Sequence, residues 1–101
     1  MSVLMNFAIF PTDKGTSVSP YVARIIEVVR TSGFEYQLSS MGTQVETNTL
    51  DEALQILSES NKALETDCER VYLSVNFDIK KGGLGRISSK IESVERKLKK
   101  K

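Results

Sequence analysis

The sequence predicts an α+β domain of ferredoxin-like type, a β-α-β-β-α-β sandwich with an additional C-terminal helix. Three observations carry this reading. Apolar residues alternate at a period of two in four stretches. They recur at helical spacing in three others. The two kinds of segment follow one another in the order that a split βαβ arrangement requires.

Residues Ser2 to Phe10 put Val3, Met5, Phe7 and Ile9 on one face of an extended chain and Leu4, Asn6, Ala8 and Phe10 on the other. Both faces can be buried, so this strand belongs inside the sheet. Pro11 to Ser17 read as a loop, and Ser19-Pro20 as a serine N-cap followed by proline at the first helical position. Val22, Ile25, Ile26 and Val29 then form one helical stripe, which Gly33 ends by supplying a left-handed residue. Phe34, Tyr36 and Leu38 alternate with polar neighbours, as do Thr43, Val45 and Thr47, so two short strands meet near Ser40 to Gly42. Thr49 and Glu52 make a capping box for a second helix carried by Leu50, Ala53, Leu54, Leu57 and Leu64. Val71, Leu73, Val75, Phe77 and Ile79 oppose Tyr72, Ser74, Asn76, Asp78 and Lys80, the clearest strand of the chain. Beyond Gly82, Gly83 and Gly85, a third helix is drawn by Ile87, Ile91, Val94 and Leu98, with Lys97, Lys99, Lys100 and Lys101 at its negative end.

Two helices are predicted to cover one sheet face and leave the other bare. That bare face would display Tyr72, Ser74 and Asn76 beside Gln44, Glu46 and Asn48, a natural place for a second subunit or a ligand.

At 101 residues the chain has room for a single domain, residues 1–101, since domains typically run ~100–150 residues. So small a core favours self-association. Lysine and arginine number 14 against 13 aspartates and glutamates, a net charge of +1 that gives no general pull toward nucleic acid or anionic membrane. Cys68 is the single cysteine, so no disulfide forms within the chain, and a reducing, cytoplasmic location is expected. The apolar N-terminus lacks a basic leader and a small-residue cleavage site. No stretch reaches the roughly 20 apolar residues that cross a bilayer.

Histidine is absent, which removes the commonest general base and metal ligand. Cys68 lies between Asp67 and Glu69, whose charges raise a thiol pKa, so it reads as structural; no metal is expected. The Gly82-Gly83-Leu84-Gly85-Arg86 loop occupies a position from which backbone N–H groups can hold phosphate, yet matches neither phosphate-loop motif; a tight turn is the plainer reading. The lysines from Lys97 to Lys101 read as a solvated helix end. Tyr72 and Phe77 fall on opposite strand faces, so the stacking platform of RNA-recognition domains is not built, and one cysteine cannot make a C-x-x-C metal loop. Glu46 stands apart because it lies inside a strand. It is either an edge-strand carboxylate facing solvent or a buried one that needs a donor or a cation.

Several segments, in this order, resemble the small YkoF-like thiamine-binding family. They are Ser17-Val18-Ser19 leading into Tyr21-Val22-Ala23, Ser32-Gly33-Phe34-Glu35-Tyr36-Gln37-Leu38, Met41-Gly42-Thr43-Gln44-Val45-Glu46, Leu50-Asp51-Glu52, Arg70-Val71 and Lys90-Ile91-Glu92-Ser93-Val94-Glu95. The resemblance implies a ferredoxin-like subunit that pairs sheet to sheet, assembles as a dimer of dimers, and binds thiamine or its hydroxymethylpyrimidine portion near subunit contacts. The vitamin would be a ligand and not a catalytic cofactor, and the protein not an enzyme. Glu46 and Thr43 suit a cation and an aminopyrimidine. Tyr36 could stack, Ser17 could reach polar atoms, and Asn76 joins them from the bare face. Asn61 stands where many relatives have histidine, and Asp78-Ile79-Lys80-Lys81-Gly82-Gly83 replaces a D-x-R-x-D-K run. A homo-oligomeric structural or regulatory module without a small-molecule ligand is the rival reading.

Overall fold

A computed structural model of the chain describes residues 1–99. Its elements are β1 (Ser2–Pro11), α1 (Ser19–Thr31), β2 (Glu35–Ser39), β3 (Gly42–Thr47), α2 (Leu50–Glu65), β4 (Val71–Lys80) and α3 (Arg86–Lys99). The strands form one antiparallel sheet in the order β2-β3-β1-β4, which is the ferredoxin-like arrangement read from the sequence. Lys100 and Lys101, part of the lysine run, lie outside the described residues.

β1 is internal, as its two apolar faces require. Val3, Met5 and Phe7 pair with Thr47, Val45 and Thr43 of β3 on one side and with Ile79, Phe77 and Val75 of β4 on the other. Because side chains alternate, these residues share one face, and Leu4, Asn6, Glu46, Gln44, Asn76 and Asp78 share the opposite one. The core sits on the first face, where Val3, Met5, Phe7, Ile9 and Val45 meet Ile25 and Val29 of α1 and Ala53, Ile56, Leu57 and Leu64 of α2. Removing one such side chain, as in Leu64→Ala, costs about 2–5 kcal/mol.

The helix boundaries follow local chemistry. In α2 the Thr49 side chain accepts from the Glu52 N–H, and the Glu52 carboxylate accepts from the Thr49 N–H, completing the capping box. Gly33, at φ +82°, follows α1 in the left-handed region. The start of α1 departs from expectation. Ser19 is already helical, the cap position is Val18, and no side chain caps the helix; Pro20 sits in the first turn as predicted. Proline needs no donor there, so the helix starts without a serine cap.

A larger correction concerns the bare face. α3 crosses to the side of the sheet opposite α1 and α2, where its first turn lies against Glu46, Glu35 and Asp78. One corner of the expected open face is therefore covered.

The far end is pinned by Arg24 of α1, whose guanidinium donates to both oxygens of Asp67 at 2.8 and 2.9 Å and to the Ala63 carbonyl. This hydrogen bonding holds the Asp67 carboxyl down to about 2. The Asp67 carboxylate therefore binds fewer protons folded than unfolded. Its contribution to stability is complete above the ordinary carboxylate range near 3.9 and is lost as pH falls through about 2. An Asp67→Asn chain is predicted to flatten the acid limb between roughly pH 4 and 2, read as the denaturant midpoint against pH; parallel curves for the two chains would refute the pairing.

Candidate ligand site

An apolar concavity that admits a small molecule lies where the α1 stripe passes over the end of the sheet. Val18, Val22 and Ile25 form one wall, Phe7, Ile9, Leu38 and Thr43 another, and the turn Ser39-Ser40-Met41-Gly42 closes one end. Its volume is about 370 Å³, within the ~300–1,000 Å³ of small-molecule pockets. No charged side chain lines it. The turn is kept tight by the Ser39 hydroxyl, which donates to the Gly42 carbonyl at 2.9 Å. Gly42 lets the turn lie close against β1, since a Cβ would stand a tight 3.1 Å from both the Asn6 side chain and the Phe7 carbonyl oxygen. Through Val18, Val22 and Leu38 the cavity runs into a shallower groove along α1 that ends at Glu27 and Arg30, which pair with each other.

Across the sheet, Glu46 is 2% exposed and fully engaged. Its Oε1 accepts the backbone N–H groups of Gly85 and Arg86 at 3.1 and 2.9 Å, and its Oε2 accepts the Ser2 hydroxyl at 2.5 Å. Ser2 Oγ in turn accepts from Arg86 Nε at 2.9 Å. The remaining Arg86 donors reach the Ser2 carbonyl, the Asp78 carbonyl and Asp78 Oδ2. Lys90 adds a bond to Asp78 Oδ2 at 2.8 Å, and this partner, with Arg86 beside it, holds the Asp78 carboxyl below its ordinary value. Two sequence features thus answer each other. The glycine loop, with Gly85 at φ +95°, presents helix N-terminal donors to an anion, and the anion is the chain's own strand carboxylate. Glu46 is neither on an edge strand nor facing solvent, because β3 is flanked by β2 and β1.

The structure separates the five residues singled out in the sequence. Thr43 is buried and lines the cavity; Ser17 immediately precedes Val18 at its wall. Tyr36 shares the face of Thr43, through its pairing with Val45, but packs against the core, and Leu38 takes the cavity position on β2. Glu46 and Asn76 lie on the opposite face, Asn76 exposed across from Asn6. Sequence reasoning missed Leu38, Met41 and the Ser39-Ser40 turn as cavity residues and Glu27 as the groove's carboxylate. The one signal for them was the strand junction near Ser40 to Gly42. Cys68 is buried, and burial first, then Asp67, pushes its thiol up, away from a reactive thiolate. Among the described residues no group of three or more candidate ligands could hold a metal ion, and no helix is long and apolar enough to cross a membrane.

With this geometry in place, comparison with known proteins is decisive. A family profile described as thiamine-binding protein matches residues 5–95. The chain belongs to the thiamine-binding protein family. Within this family, it is 35% identical over 97 residues to the UPF0045 protein MJ1052 of Methanocaldococcus jannaschii, covering 96% of this chain and 89% of the relative. It is 32% identical over 84 residues to a UPF0045 protein of Methanothermobacter thermautotrophicus, covering 82% and 85%. The crystal structure of the Methanocaldococcus protein superposes with a TM-score of 0.83 over 93% of this chain and 96% of that one. A Thermotoga maritima protein provisionally assigned to thiamine biosynthesis or salvage shares the fold, with a TM-score of 0.80 at 23% identity over 93% and 99% of the two chains.

The Glu46 network makes a prediction for this member of the thiamine-binding protein family. Arg86→Met leaves buried Glu46 without its guanidinium neighbour and is predicted to lower stability by about 3 kcal/mol, read from denaturant unfolding. Amide exchange within α3 is predicted to accelerate before that of the sheet. An unchanged midpoint with a protected α3 would show that the network does not hold the helix.

Proposed function

We propose that this protein binds thiamine, or its hydroxymethylpyrimidine portion, in the cavity between α1 and the β2–β3 turn, without catalysing a reaction. The observation that carries the reading is the cavity itself: apolar walls with Thr43 and the Ser39-Ser40 turn as the only hydroxyl groups among its lining residues. Family membership supports the ligand class. A flat aminopyrimidine needs apolar faces above and below and hydrogen-bond partners at its edge, which Thr43, the turn backbone and Ser17 at the mouth supply. The cationic ring is directed along the α1 groove toward Glu27, the one carboxylate lining either concavity. Tyr36 packs against the core. Glu46, whose oxygens are filled by protein donors, shapes the subunit instead of touching the ligand.

Binding without turnover accords with the residues present: the chain has no histidine, and its one thiol is buried beside acidic neighbours. The remaining bare face, with the tilted rings of Phe10 and Tyr72 5.5 Å apart beside Asn76, Ser74 and Gln44, is the surface for self-association in a dimer of dimers in the cytoplasm. Exposed apolar residues on β4 and α3 favour one rival, an assembly module with no ligand.

Calorimetric titration with hydroxymethylpyrimidine, thiamine and thiamine phosphates decides between them, with one site per chain expected. Thr43→Val is predicted to weaken every ligand three- to tenfold, the ~0.5–1.5 kcal/mol of one neutral hydrogen bond. Glu27→Gln is predicted to weaken thiamine and leave hydroxymethylpyrimidine unchanged. Absence of heat with all of these compounds would overturn the proposal.

A further inference from the structure

The groove along α1 holds one negative and one positive side chain, and each neutralises the other. Among the residues lining the cavity and the groove, Glu27 is the one carboxylate and Arg30 the one cation. The Arg30 guanidinium donates to Glu27 Oε2 across one turn of α1, with the two side chains 65% and 56% exposed. An i,i+3 pair so open to water contributes little to the fold and is broken at small cost. Between this pair and the cavity the groove is apolar, walled by Val22, Ala23, Ile26 and Leu38.

Such an arrangement sorts ligands by charge. The preceding reading sets a pyrimidine in the cavity and a cationic ring toward Glu27. A ligand that is only a cation gains the carboxylate by taking it from Arg30, and then lies beside a guanidinium of its own sign. A ligand with a cation and, beyond it, an anion replaces both halves of the pair at once, so that neither side chain is left without a partner. Phosphate is the anion that suits the position, because a guanidinium presents two N–H groups in a fork that matches two phosphate oxygens.

Spacing selects further. From Val22, which lines both concavities, to Arg30 is eight residues of α1, about 12 Å at ~1.5 Å per residue. That is the reach of two linked rings and a short arm, and beyond that of one ring. A phosphate attached directly to the hydroxymethyl group of the pyrimidine stops short of Arg30 and meets Glu27, which repels it. A second phosphate added to the first finds no further cation among the lining residues.

We infer that the α1 groove is a phosphomonoester subsite: Arg30 takes the phosphate of a zwitterionic ligand whose cationic ring lies at Glu27, which selects thiamine monophosphate over free thiamine and gains nothing from the diphosphate. The inference rests on the ligand reading above and deepens it. Since both charged side chains are exposed, added salt weakens this preference and spares the pyrimidine contact in the apolar cavity.

The test is calorimetric titration of the full chain with thiamine, its monophosphate and diphosphate, hydroxymethylpyrimidine and hydroxymethylpyrimidine phosphate. The monophosphate is expected to bind about tenfold tighter than thiamine, the worth of one charge-assisted hydrogen bond in an open site. The diphosphate is expected to bind no tighter than the monophosphate, and hydroxymethylpyrimidine phosphate less tightly than hydroxymethylpyrimidine. Arg30→Gln is expected to weaken the monophosphate about tenfold and to tighten thiamine roughly two- to threefold, the strength of the exposed ion pair that no longer competes for Glu27. Equal weakening of both compounds would mark Arg30 as structural and overturn the inference. Arg30→Lys keeps the cation and is expected to preserve the order of monophosphate over thiamine; reversal of that order would overturn it as well. A wild-type chain that binds thiamine as tightly as the monophosphate refutes the phosphate subsite and leaves the ligand reading standing, whereas heat from none of the five compounds removes both.

Discussion

A carboxylate buried as deeply as that of Glu46 is tolerable only where donors replace the water it has lost, and much of this architecture is organised around supplying them. Two come from the backbone at the start of α3 and one from the Ser2 hydroxyl. Arg86 then neutralises the group from beside it and ties Ser2 and Asp78 into the same cluster. Desolvation makes such a cluster a poor source of net stability, but it strongly disfavours any arrangement in which one member is missing. The third helix is therefore fixed in position by electrostatics more than by apolar contact. That is why an amphipathic segment can leave most of its stripe uncovered.

This division of labour frees the opposite face. The apolar core under α1 and α2 carries the hydrophobic burial, and the cavity opens at its margin, where the α1 stripe outruns the short β2 and β3 strands. A site at the edge of a packed core takes rigid walls from it while keeping access to solvent at the turn. The polar cluster across the sheet holds β1, β3 and β4 in register from behind. Cavity and cluster thus share strands without sharing side chains.

The order and type of every element could be read from periodicity, because alternation and helical spacing are local properties of the chain. The register was legible too: of the residues forecast beside one another on the second face, Tyr72, Ser74 and Asn76 with Gln44 and Glu46 do share it, while Asn48 falls beyond the end of β3. What could not be read depended on pairs distant in sequence. Glu46 announced that it needed a partner, but the partner lies 40 residues away and acts through backbone N–H groups that have no side-chain signature. The path of α3 across the sheet follows from that same contact. The cavity was only half visible, since Thr43 carried a motif whereas Leu38 and Ser40 became lining residues through the way a turn folds under a helix. Ser19 misled for a local reason: a serine before a proline marks a helix start without specifying which residue is the cap.

β1 and β4, the first and last strands, are joined along ten paired positions, the longest ladder of the sheet. On a ribosome the early strand must therefore wait, with one of its flanks unmatched, until β4 has emerged. Chains with such distant closure fold slowly and expose sticky edges meanwhile. The alternating polar residues Asn6, Ser74, Asn76 and Asp78 along these two strands give the nascent chain a wettable side during that interval, and they stay exposed once the ladder has closed.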